Sequence, residues 1–218
     1  GTCSLSSDFN TLYFTRCRFS KREKLGCEIL YSKRSESGWL APEALKLTPD
    51  SMIVAHPAIS NDGLTLYFAS NIAGGFGGID IWKVTRNSET DNWGEPINLG
   101  GDINTAGNEM FPYIHPDGTL YFSSDGLPGV GGLDIFRAKP NDKNGWNVEN
   151  MRFPVNSPSD DFGIVFEKER EAGYFSSRRT GGRGADDIYL FYLPPIVFNM
   201  IGQITDDKTQ KPVAQSTV

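Results

Sequence analysis

The sequence predicts an all-β chain, a β-propeller of four-stranded antiparallel blades, and three observations carry that expectation. The triplet Leu-Tyr-Phe stands at 12–14, 66–68 and 120–122, with Gly173-Tyr174-Phe175 as a fourth version, at steps of 54, 54 and 53 residues. Trp39, Trp93 and Trp146 keep the same beat, 54 and 53 apart. So does an acid–isoleucine pair, Glu28-Ile29, Asp80-Ile81, Asp134-Ile135 and Asp187-Ile188. Three series in phase at one period mark an array of equivalent supersecondary units.

The unit is clearest in residues 54–100. The apolar run Val54–Ile59 reads as an innermost strand and ends at Ser60-Asn61-Asp62-Gly63, a turn signal. Leu64–Ser70 is β-branched and aromatic and suits a buried strand. After the glycine-rich loop Gly74-Gly75-Phe76-Gly77-Gly78 comes a third strand, Ile79–Val84. Trp93–Leu99 contains Pro96 and reads as an outer strand at the sheet edge. Four short strands joined by tight turns make one propeller blade. A sandwich lacks repeating loop chemistry, and helical solenoids need a 3.6-residue periodicity absent here. Ser20–Leu25 is the nearest helix candidate.

The blades are expected at about 3–47, 54–100, 109–154 and 161–193 within a propeller region 1–195. The fourth lacks a Trp-x-x-Pro outer strand, and the first opens almost at its innermost strand. Four repeats are therefore expected to belong to a larger ring with upstream sequence, since closure removes free sheet edges. Beyond Pro194-Pro195 the texture changes, and 196–218 reads as the opening of a β-sandwich similar to a carboxypeptidase regulatory-like domain.

The formal net charge of −6 argues against nucleic-acid partners, which usually require a basic face. No apolar run approaches the roughly 18 residues of a membrane span, so direct membrane insertion is not expected. Cys17 aligns with Asn71 at the end of a second strand, and Cys27 with Ile79 at the start of a third. The two face each other across a hairpin, where a disulfide is geometrically natural. Two free buried thiols or a metal pair are the alternatives, with no further Cys or His nearby in sequence. A disulfide implies an oxidising compartment such as a periplasm. Cys3 is left over.

The residues offer no catalytic, cofactor-binding or metal-binding motif. Loops 74–78 and 129–132 are followed by strands rather than helices, so they read as hairpin turns needing positive φ rather than phosphate cradles. Asp80, Asp134 and Asp187 recur once per blade and read as caps of turn amides. His56 and His115 occupy non-equivalent repeat positions. Arg178, Arg179 and Arg183 share one hairpin loop and read as solvated charges. Glu109, Asp160 and Asp161 precede innermost strands and are candidate channel-rim residues for a cation or a basic peptide.

The segment Pro57–Phe68, with Ser60-Asn61-Asp62-Gly63 before Leu66-Tyr67-Phe68, resembles the core repeat of TolB-type propellers, as does Pro112–Phe122. Blade one departs from it, with Asp8-Phe9-Asn10 in place of Asp-Gly. Asn104–Pro112 and Gly131–Phe136 are similar to the propeller of OmpA-family envelope proteins of Bacteroidota, which include a type IX secretion component. The resemblance implies a periplasmic, outer-membrane-associated protein and a non-enzymatic scaffold without cofactor. Its implied partners are envelope or secretion-system proteins, with peptidoglycan held only by a separate OmpA-like domain outside this chain. The alternative is the propeller of a carbohydrate-active enzyme or peptidase, with catalytic groups in the channel, such as Glu109 or Asp161, or in other domains.

Overall fold

The computed structural model describes residues 2–19, 24–48, 52–167, 171–193 and 205–209. Every regular element among them is a β-strand, and the strands form four antiparallel sheets in chain order. Blade one holds β1 (Cys3–Leu5), β2 (Thr11–Phe19) and β3 (Lys24–Ser35), with the short β4 (Gly38–Trp39) and β5 (Glu43–Ala44) both pairing with β3. Blade two runs β6 (Val54–Ile59), β7 (Thr65–Ser70), β8 (Asp80–Thr85) and β9 (Ile97–Asn98). Blade three runs β10 (Glu109–Ile114), β11 (Leu120–Ser124), β12 (Asp134–Pro140) and β13 (Trp146–Asn150). Blade four runs β14 (Asp161–Phe166), β15 (Ala172–Ser177) and β16 (Asp187–Tyr192), three strands among the described residues.

Prolines set the length of the outer strands. Trp146–Asn150 contains none and pairs along five residues, whereas Pro96 leaves only Ile97–Asn98 paired and Pro42 separates β4 from β5. A proline cannot donate to the ladder. The three tryptophans nonetheless share one backbone register. Leu40 N donates to Lys33 O and Gly94 N to Thr85 O, while Asn147 pairs with Lys139. The helix candidate Ser20–Leu25 is corrected in part. Lys24 and Leu25 belong to β3, because the β2–β3 ladder runs on through Cys17↔Cys27 to Phe19↔Lys24. Residues 20–23 lie outside the described residues, as does the expected sandwich opening except for 205–209. There the Asp206 carboxylate accepts bonds from the amides of Lys208 and Thr209.

The two-residue period of a strand explains the triplet. In β7, Leu66 and Phe68 face blade one and pack with Tyr13 and Ile29, while Tyr67 and Ala69 face blade three and pack with Leu120 and Phe122. Tyr121 in turn packs with Phe175 and Phe191 of blade four. Each buried aromatic of this kind stabilises the fold by roughly 1.5–3 kcal/mol. On blade four the corresponding outward face, Val165, Tyr174, Leu190 and Tyr192, is exposed. Among the described residues the strands of blades one and four make no contact.

The innermost strands carry one further repeat. Register shifts fall between Ala55 and Ala58, Met110 and Tyr113, and Phe162 and Val165. Inside these bulges His56, Phe111 and Gly163 adopt φ of 55°, 56° and 68°. A bulge turns a backbone amide out of its own ladder. The amide of His56 donates to Thr15 Oγ1 of blade one, and that of Phe111 to His56 Nδ1.

Candidate functional site

Glu109 and Asp161 open β10 and β14 opposite Ser124 and Ser177. Neither is a channel-rim charge, since both are 0% exposed. Glu109 accepts bonds from Thr105 N (2.8 Å), Thr105 Oγ1 (2.7 Å) and Ser124 Oγ (2.6 Å). Burial pushes its pKa above the ordinary value, against the pull of those donors. Asp161 accepts from Ser157 N and Oγ and from Arg179 at 2.8 Å. Asp160 is half-buried and also engaged, accepting from Leu133 N and from Arg178. The Leu133 amide, then Arg178, holds its pKa below the usual carboxylate range. Sequence position placed these acids at strand starts, but inter-blade packing covers them with the loop of the preceding blade.

The arginine loop is also not simply solvated. Arg179 donates to Ser177 Oγ and to the carbonyls of Pro154 and Val155, and stacks over Phe175 and Tyr189. It therefore pins blade four to blade three. Arg178 bridges Asp160 and Asp186. Arg183 is exposed, its amide bonded to Asp187.

Asp80, Asp134 and Asp187 cap turn amides: Phe76 and Gly77, Val130 and Gly131, and Arg183 and Gly184, respectively. The glycines of these loops are needed for a reason other than the expected one. Only Gly74 has positive φ in the second-blade loop, and none does in 129–132. A Cβ on Gly77 would collide with the carbonyls of Thr105 and Gly107, and one on Gly131 with those of Ser157 and Ser159. The loops lie flat against the next blade, and a side chain would hold the blades apart.

Two asparagines, one in each connecting segment, make equivalent buried bonds and escaped the sequence reading. Asn104 accepts from Ile81 N (2.7 Å) and donates to Ile81 O (3.0 Å) and Asn98 Oδ1 (2.9 Å). Asn156 repeats all three bonds with Ile135 and Asn150. The available signal was Asn98/Asn104 against Asn150/Asn156, each pair six apart and the pairs 52 apart.

Cys17 and Cys27 form a disulfide with an S–S distance of 2.03 Å, and Cys3 is free and exposed. The rings of His56 and Phe111 stack with centroids 4.1 Å apart, and Phe162 lies tilted against Phe111 at 4.8 Å. Burial lowers the His56 pKa to about 4. His115 sits apart, in a turn with Asp117. Among the described residues no group of three His, Cys, Asp or Glu side chains is arranged to hold a metal ion, and no helix is long and apolar enough to cross a membrane.

No family model and no curated protein matches the chain. Among solved structures it is similar to TolB from Acinetobacter baumannii, with a TM-score of 0.57 and 15% identity over 87% of this chain and 40% of that one. A thermostable family-43 glycoside hydrolase is similar at TM-score 0.53 and 17% identity, over 86% of this chain and 70% of that one. The endo-arabinase of Bacteroides thetaiotaomicron VPI-5482 is similar at 0.52 and 18%, over 85% and 72%. These likenesses show the propeller fold, which TolB-type proteins share with hydrolases. The chain spans less than half the length of the TolB it matches.

Proposed function

We propose that this chain is a non-catalytic interaction module of a periplasmic, outer-membrane-associated protein. It belongs, on this reading, to a type IX secretion or related envelope assembly, in the manner of PorE, with peptidoglycan gripped by a separate OmpA-like domain. The observation that carries the reading is the state of Glu109 and Asp161, whose carboxylates are buried and committed to Thr105, Ser124, Ser157 and Arg179. A hydrolytic pair must reach substrate and water, and these two are instead taken up by the segments that lead into their strands and by partners on their own blades. The Cys17–Cys27 disulfide supports an exported protein.

In-cell cross-linking followed by mass spectrometry is expected to recover envelope proteins, while purified protein leaves arabinan and peptide substrates intact. Turnover that disappears in Glu109→Gln or Asp161→Asn variants of unchanged fold would replace this reading with the enzyme one. Protein taken from its native compartment should carry the disulfide by non-reducing mass, and two free thiols there would remove the argument for export.

A further inference from the structure

A cleft of about 940 Å³ opens between blades one and two, on the side of the β1–β2 turn and the β8–β9 loop. Arg86 lies inside it and is held in place. Its Nε donates to Gly63 O (2.9 Å), its Nη1 donates to Glu89 O (2.8 Å), and its guanidinium carbon sits 4.4 Å from the centre of the Trp93 ring. Lys33, Arg34 and Lys46 line the blade-one side and are exposed. Among the described residues none of these four cations pairs with a carboxylate, although the chain carries a net charge of −6 and Arg16, Arg137, Arg178 and Arg179 are all paired.

The cleft is not a by-product of the repeat. At the next junction Pro140 stands where Arg86 stands, and the Asp102 carboxylate reaches over to accept a bond from Trp146 N at 2.9 Å. One junction is closed by an internal carboxylate, while at the other no carboxylate of the described residues accepts a bond from the amide of Trp93, the counterpart of Trp146.

We propose that this cleft binds an acidic peptide segment of a partner protein, with Arg86 receiving a carboxylate and Lys33, Arg34 and Lys46 guiding the chain. The choice of a protein ligand rests on the interaction-module reading above. A guanidinium fixed by two carbonyls and a ring, with the Tyr13 hydroxyl beside it, still has N–H donors left over for a carboxylate. The volume suits several residues rather than a single small anion. Glu89 and Asp91 also line the cleft. They repel a uniformly anionic glycan or nucleic acid but tolerate a chain whose acids alternate with neutral residues.

The test is fluorescence anisotropy of the full chain with a labelled peptide of alternating Glu and Gly, beside its Gln-Gly counterpart and an oligogalacturonate. The Glu peptide should bind saturably at low ionic strength, weaken with added salt, and lose about tenfold in affinity with Arg86→Gln. If Arg86→Gln lowers the melting temperature, the exposed pair Lys33→Gln/Arg34→Gln serves instead and should weaken binding several-fold. Equal affinity of wild type and variants, equal binding of the Gln peptide, absence of saturable binding, or tighter binding of oligogalacturonate overturns the proposal. Envelope cross-links that persist without peptide binding would sink the cleft alone and leave the module reading standing.

Discussion

Arg179 reaches Asp161 at 2.8 Å in the interior between blades three and four, with Asp161 wholly buried. The equivalent acid of blade three, Glu109, has only neutral donors. Two blades thus use the same backbone position with different electrostatic solutions.

Removing one half of a buried pair strands the other charge, at a cost of about 3–5 kcal/mol. Arg179→Met should therefore lower the urea midpoint sharply, and the double variant Arg179→Met/Asp161→Asn should recover a large part of the loss. A double variant no more stable than the single one would show that Arg179 acts through its ring and carbonyl contacts alone.

Glu109 makes stability fall as pH rises. Burial raises its native pKa above the ordinary 4.5, so the folded state holds this proton more tightly than the unfolded chain. The contribution is fully present below 4.5 and is lost as pH passes through the native value. Glu109→Gln keeps the shape but not the titration, so its deficit against wild type should shrink from acid toward neutral pH. Chemical denaturation at several pH values reads this directly.

His56 works in the opposite sense. Its pKa falls from 6.5 to about 4 on folding, so its contribution is present above 6.5 and is lost as pH drops through 4. At about 1.4 kcal/mol per unit the whole span amounts to roughly 3 kcal/mol. Protonation also removes the Nδ1 acceptor used by the Phe111 amide. His56→Asn, which tolerates the 55° φ, should flatten the stability profile in that interval.

Gly77→Ala should cost about 1–3 kcal/mol by overpacking against the next blade. Gly74→Ala meets nothing within 4 Å and carries only the strain of its positive φ, on the order of 1 kcal/mol. Thermal melts of the two variants should rank them in that order.

Much of the architecture was legible because the period of the Leu-Tyr-Phe triplet counts blades directly. The turn-capping aspartates were readable for the same reason: Asp80, Asp134 and Asp187 bond amides three and four residues away. The role of Gly77 was not, because the atoms that exclude its side chain lie about thirty positions along the chain, in the segment that leads into the next blade. Glu109 and Arg179 were misread as surface charges for a similar reason. Burial depends on what the neighbouring blade lays over a residue, and local pattern does not report it.

By itself the amino-acid order determined the strand-and-turn unit, its recurrence and the alternation that gives each sheet two apolar faces, since these rest on periodicity and nearby hydrogen bonds. Only the tertiary structure decided which charges are interior, which glycines are contact points and which junction stays open. Those properties arise where one blade meets the next, between residues brought together by the turn of the propeller rather than by the chain.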